Sequence, residues 1–253
     1  MIAAIEVADR QLESPLGRAN ALTKLAIAVA WLIGLATTTS PWPALFLAAT
    51  AILAGIALGG LSPGSLVRGA APLLLAAISV GFFNAVFAAA NTDPAATEIA
   101  RIGPLRLTAE GVAGGIGLAA RIVAIAFTSV VFAGTTDSTR LVDALVQQAR
   151  LPARFGYGAL AAYQAVPRLG EDLATLRQAR RIRGLPGSWH PRLLVSLLVL
   201  AIRHGDRLAL AMDARGFGSG PRTFYRSSSF GPLDAAFGAG AAAALIAALA
   251  LGR

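Results

Sequence analysis

The chain has no cysteine, one lysine and two histidines among its 253 residues. Without cysteine there is no disulfide framework, no thiolate nucleophile and no sulfur ligand for a metal. The histidines, His190 and His204, have no second ligand at helical spacing and read as surface residues near turns rather than as a metal site. Charge is scarce too: 14% of residues are charged, 56% are hydrophobic, and the mean hydropathy is +0.65. A soluble domain carries roughly 25% charged residues or more at its surface. This composition is that of a membrane protein. The formal net charge of +9 is almost wholly arginine, with Lys24 the single lysine. In a membrane chain such an excess points to topology before nucleic acid.

No charged residue occurs between Lys24 and Arg68, enough chain for two helices across a core of about 30 Å. The segment SPWP at 40–43 divides it, because two prolines end a helix and tryptophan favours an interface. A third span is expected from Pro72 to Ala90, closed by the turn signal NTDP, a fourth from Val112 to Gly134, and a fifth over 235–252. The opening segment carries Glu6, Asp9 and Glu13 and no long apolar run after positive charge, so it does not read as a cleavable leader. Arg10, Arg18 and Lys24 precede the first span, Arg68 lies between the second and third, and fourteen arginines from Arg140 to Arg226 lie between the fourth and fifth. Alternating spans put all of these on one side, the cytoplasm by the positive-inside tendency. Arg121, inside the fourth span, is expected to face the protein interior or snorkel, bonding carbonyls of neighbouring helices. The expected class is an all-α membrane protein of about five transmembrane helices, with long amphipathic cytoplasmic helices between the fourth and fifth. It divides into residues 1–136 with four spans, a cytoplasmic region 137–231, and a last span in 232–253.

The 137–231 region is patterned, not a disordered basic tail. Asp137 is placed to cap a helix with Leu141, Leu145 and Ala149 on one face, and Pro152 ends it or opens the next. A second helix follows Leu173, Leu176, Ala179 and Ile182 and stops at Gly184; a third begins after GSWHP and stops at Gly216. Two apolar stretches, 155–166 and 193–202, rise only about 15–20 Å each, too short to span. They must pack on each other, on the membrane face, or on a partner.

Two helices therefore end on Arg-Gly, within QARRIRG at 178–184 and AMDARGFG at 211–218. Glycine in the left-handed position beyond a helix and arginine at the negative end of the macrodipole account for one such end. Repetition on the cytoplasmic side of a membrane protein suggests guanidinium forks held out for docking. The chain has no G-x-x-x-x-G-K-[ST] loop for nucleotide, no D-G-x-x-A-R lipid-phosphotransferase pattern and no carboxylate within the spans for ion coupling. Energy must come from outside it.

On these residues the sequence resembles the transmembrane T component (the EcfT, CbiQ and BioN family) of energy-coupling factor transporters. That family has two Ala-Arg-Gly motifs ending cytoplasmic coupling helices. The second is intact here as Ala214-Arg215-Gly216; the first keeps Arg183-Gly184 with Ile182 in place of alanine. TTDSTRLVDAL at 135–145, the VPRL segment around Pro167, the Arg121-bearing span and LTKL at 22–25 are similar as well, although only Thr23-Lys24 remains of the family's Asp-Pro-Arg-Thr-Lys. The resemblance implies a non-catalytic scaffold, multi-pass in the bacterial inner membrane, with N-terminus and coupling helices cytoplasmic. It implies docking of two ABC-type ATPases at Ile182, Arg183, Gly184, Ala214, Arg215 and Gly216. A substrate-binding S component would be held on the apolar helices, at Leu193, Leu194, Leu197, Leu198 and Ile202. No cofactor belongs to this chain, ATP and magnesium being bound by the ATPases; no nucleic acid is involved, and the cargo would be a vitamin, a vitamin precursor or a transition-metal ion. The alternatives are a membrane-embedded enzyme or a secondary carrier that binds an anionic ligand through the paired arginines.

Overall fold

The computed structural model describes residues 14–102, 105–185, 189–218, 224 and 226–252; the reading of the first thirteen residues, including Arg10 as a topology charge, lies outside them. Nine α-helices are described. They are α1 (Pro15–Arg18), α2 (Ala21–Ala36), α3 (Pro41–Ala57), α4 (Pro63–Val86), α5 (Ala109–Thr135), α6 (Ser138–Gln147), α7 (Ala153–Ile182), α8 (Pro191–Ala214) and α9 (Pro232–Leu251). Between α4 and α5 lie a 3₁₀ turn (Ala89–Thr92) and an antiparallel hairpin, β1 (Glu98–Ile102) and β2 (Leu105–Thr108), a local exception in a helical membrane protein. The chain divides into two compact units: residues 1–141 with 229–253, and residues 142–228.

In the first unit, three segments are long and apolar enough to cross a membrane: Pro63–Thr92, Ala109–Thr135 and Pro232–Leu251. The first two expected spans are shorter, 16 residues in α2 and 17 in α3, and rise only about 24–26 Å. Their caps consume the missing length. Asn20 closes α2 at its start, its Oδ1 accepting from the Leu22 N–H at 2.9 Å, and Gly60, at φ 65°, turns the chain after α3. The third span begins at Pro63 rather than Pro72, so Arg68 is inside α4 and Pro72 is an interior proline.

Helix α5 packs against both α3 and α4 along small residues. A Cβ on Gly115 would lie 2.5 Å from the Gly81 carbonyl oxygen and 2.9 Å from the Ala85 Cβ, so only glycine permits this approach. The buried centre around them is Leu47, Leu66, Ala44, Ala70 and Ala124. Gly115→Val is expected to cost about 2 kcal/mol through overpacking, lowering Tm in detergent by about 4–8 °C. The open Gly170, whose Cβ would meet nothing within 4 Å, should instead gain stability as alanine.

Polar ties close both ends of this unit. At one end the Asn91 amide donates to the Ala85 and Val86 carbonyls, both at 2.8 Å, satisfying orphan groups of α4. Its Oδ1 accepts from the Thr108 hydroxyl at 2.7 Å, and that hydroxyl caps α5 by accepting from the Gly111 N–H at 3.1 Å. At the other end the Asn20 N–H donates to Asp234 Oδ1 at 2.6 Å, while Asp234 Oδ2 accepts from the Gly231 N–H at 2.7 Å. Lys24, expected among the charges before the first span, is instead buried in α2, where Nζ donates to the Thr135 carbonyl at 2.6 Å. Arg121 is half-buried in α5, but its buried Nε has no hydrogen-bond partner among the described residues, and no carbonyl from a neighbouring helix reaches that atom.

Candidate functional site

The second unit carries both Arg-Gly ends. Asp137 opens α6 as expected, accepting from the Arg140 N–H at 3.2 Å. α6 stops at Gln147, short of Ala149, and Arg150 takes a left-handed turn at φ 57°. Pro152 then occupies the cap position of α7. The return segment is laced to α6 by one amide: Gln147 Nε2 donates to the Arg226 carbonyl and Oε1 accepts from the Ser228 N–H, both at 2.8 Å. Tyr157 on α7 donates to Asp143 Oδ1 on α6 at 2.8 Å.

α7 runs 30 residues without a break, joining the apolar stretch 155–166 to the charged segment that follows and passing through Pro167. Beyond Pro167 its half-buried stripe is Leu169, Leu173 and Leu176. Ile182 does not belong to that stripe and is 86% exposed. Steps of three residues drift about 60° each on a helix of 3.6 residues per turn. Nine residues beyond Leu173, the side chain is on the opposite side.

α8 begins at His190, whose Nδ1 accepts from the Arg192 N–H at 3.1 Å. His204, expected near a turn, is half-buried in the middle of α8. Of the five residues expected to contact a membrane partner, Leu193 is buried and Leu197 half-buried, whereas Leu194, Leu198 and Ile202 are exposed with Val195 and Val199 beside them. These outward residues form one stripe, since positions 194, 198 and 202 advance by only about 40° per step.

The two helix ends have the same construction. At the end of α7 the Gly184 N–H donates to the Arg181 carbonyl at 3.0 Å and the Leu185 N–H to Arg180 at 3.3 Å. At the end of α8 the Gly216 N–H donates to Asp213 and the Phe217 N–H to Met212, both at 2.9 Å. These are paired Schellman closures. Gly184 and Gly216 adopt φ of 67° and 69°, and Arg183 and Arg215 occupy the two matching C-cap positions. Both arginines are exposed, and neither has an ion pair among the described residues. Ala214, before the second arginine, is exposed as well. Alanine at Gly184 is expected to cost about 1 kcal/mol through the left-handed φ. Amide exchange at the end of α7 should then rise about fivefold while α8 is unchanged; equal exchange in the parent and the Gly184→Ala variant would refute that strain.

A third arginine, which the sequence pattern did not single out, shows where these ends lie. Gly218, at φ 89°, packs so closely on Arg154 that a Cβ there would be 2.6 Å from the guanidinium Nε. The Arg215 end of α8 is therefore beside the start of α7, whereas Arg183 closes the far end of α7. Thirty residues rise about 45 Å. Two guanidinium groups separated by most of that length cannot grip one small anion, so the geometry argues against the shared anion site expected of an enzyme or carrier.

Residues 13–225, which include both Arg-Gly ends, match the model of the CbiQ family, described as a cobalt transport protein. The chain is similar to the energy-coupling factor transporter transmembrane protein EcfT of Thermosediminibacter oceani, 27% identical over 227 residues, covering 82% of each chain. It is similar to the EcfT protein of Listeria innocua at 29% identity over 150 residues, 51% of this chain and 56% of that protein. It is also 28% identical over 204 residues to a putative ABC transporter ATP-binding protein of Bifidobacterium longum, covering 74% of this chain. The chain spans about a quarter, 26%, of that longer protein.

Proposed function

This chain belongs to the CbiQ/EcfT family of energy-coupling factor transporter transmembrane proteins, and on that premise we propose that it is the non-catalytic coupling subunit of an ATP-driven importer. Arg183 and Arg215 enter sockets on two ABC-type ATPases. The outward stripe of α8, with Leu194, Leu198 and Ile202, holds a substrate-binding membrane subunit, and Leu193 is left to internal packing. The observation that carries this reading is the repeated helix closure, one exposed arginine at each of two ends separated by most of α7. Two like sockets on paired ATPases suit two like plugs set apart; guanidinium forks suit carboxylates and backbone carbonyls.

Similarity to part of a longer protein named as an ABC transporter ATP-binding protein supports an ATPase partnership. In this arrangement ATP and magnesium are held by the ATPases, the arginine-bearing helices lie in the cytoplasm, and the bundle sits in the bacterial inner membrane. ATP hydrolysis moves α7 and α8 and with them the substrate subunit. The cargo, a vitamin, a vitamin precursor or a transition-metal ion, is selected by that other subunit.

Affinity purification of the tagged chain from its native host tests the assembly. The expected result is a complex with two nucleotide-binding chains and one small membrane protein, competent for ATP-dependent uptake when reconstituted. Uptake in liposomes by this chain alone, without ATP, would refute the reading in favour of a carrier.

A further inference from the structure

A cavity of about 460 Å³ lies in the transmembrane unit between α2, α3, α5 and α9. That volume is typical of small-molecule sites, about 300–1,000 Å³. Its walls are apolar and include Ile27, Trp31, Ala54 and Ala244, with Lys24 among its lining residues. Lys24 and Thr135 stand near the start of α2 and the end of α5, and Trp31 lies seven residues, about 10 Å, further along α2. The cavity thus runs from one end of the bundle towards its middle.

Lys24 is only 7% exposed. Its ammonium has three donors, and the Thr135 carbonyl takes one of them. No ion pair reaches it among the described residues. The acid that acts on it electrostatically is Asp234, and both Asp234 oxygens already accept backbone N–H groups. Arg140 adds a second positive charge to the same neighbourhood. Thr23 and Thr136, chain neighbours of the two residues joined by the Lys24–Thr135 bond, have buried hydroxyls with no hydrogen-bond partner among the described residues.

An apolar slot with an under-satisfied cation at one end is complementary to an amphiphile with an anionic head and a hydrocarbon tail. The bilayer supplies such a molecule directly. We propose that this cavity binds an anionic phospholipid, with one acyl chain between α2, α3, α5 and α9 and the phosphate held by Lys24. The proposal does not depend on the docking of ATPases, since it concerns the spans alone.

Trp31 lines the cavity and becomes the sole tryptophan when Trp42 and Trp189 are replaced by phenylalanine. In the detergent-purified full chain, phosphatidylglycerol brominated on its acyl chains should quench Trp31 saturably. Phosphatidylcholine brominated in the same way should need about tenfold more lipid for the same effect. Lys24→Gln should bring the two midpoints together, and Lys24→Arg should retain the anionic preference. Gly240→Phe should abolish quenching by both lipids, because Gly240 lines the cavity and a Cβ there meets nothing within 4 Å. Equal quenching by the two lipids in the parent, or an anionic preference that survives in Lys24→Gln, would overturn the proposal. If circular dichroism shows Lys24→Gln unfolded, the parent comparison and Gly240→Phe decide it: a preference for the anionic lipid that Gly240→Phe removes supports the site, and quenching that survives Gly240→Phe overturns it.

Discussion

Glutamate at both Arg183 and Arg215 is expected to release this subunit from its ATPases and abolish ATP-dependent uptake while the chain remains inserted in the membrane. Neither substitution places a new residue in a demanding backbone conformation, since the two C-cap positions have φ of −77° and −92°. The local cost is the loss of a favourable charge at the helix C-terminus, about 0.3–1 kcal/mol for an exposed group. An arginine seated in an interface socket contributes about 2 kcal/mol or more. Reversal at two sockets therefore removes at least about 4 kcal/mol, or about a thousandfold in affinity. Because the two ends are separated by most of α7, each single variant should keep one contact and show an intermediate loss. Pull-down of the ATPases from detergent extracts measures this directly. A double variant that retains both ATPases and supports uptake would remove the docking assignment. Lysine at either position should restore only part of the binding, as it keeps the charge and loses the planar fork.

Leu198→Glu is expected to weaken capture of the substrate-binding membrane subunit by about a hundredfold or more, leaving ATPase pull-down at the parental level. Leu198 is 60% exposed and stands in the centre of the outward stripe of α8, so a carboxylate there is solvated in the isolated chain. On association it would be buried against apolar surface, at a cost of several kcal/mol. Leu193→Glu is the contrasting variant. Leu193 is 6% exposed, and charge at that position should disturb the packing of α8 and lose both partners together. Equal loss of both partners in Leu198→Glu would show that the outward stripe is needed for the fold of this unit rather than for one partner.

Much of this site was legible along the chain. The Asp137 cap, the Pro152 boundary and the glycine stops at 184 and 216 each rest on hydrogen bonds within one turn, and the structure has them there. The helices through the second unit were harder to read. The apolar stretch 155–166 and the charged segment after it were read separately, whereas α7 carries both as one helix through Pro167, with Leu169, Leu173 and Leu176 as the half-buried row beyond it. Ile182 was assigned to that row by counting in threes, and the helical drift placed it outside.

Composition and the placement of arginine determined by themselves that this is a helical membrane protein with a patterned basic insert and two arginine-bearing helix ends. Partition into a bilayer and closure of a helix are properties of short segments, and short segments are what a sequence displays. Only the tertiary structure decided that Lys24 faces the interior of the bundle, that Asp234 ties α9 to Asn20 across 214 residues, and that Arg183 and Arg215 stand at opposite ends of α7. Those facts depend on contacts between residues remote along the chain, where neither spacing nor periodicity carries a signal.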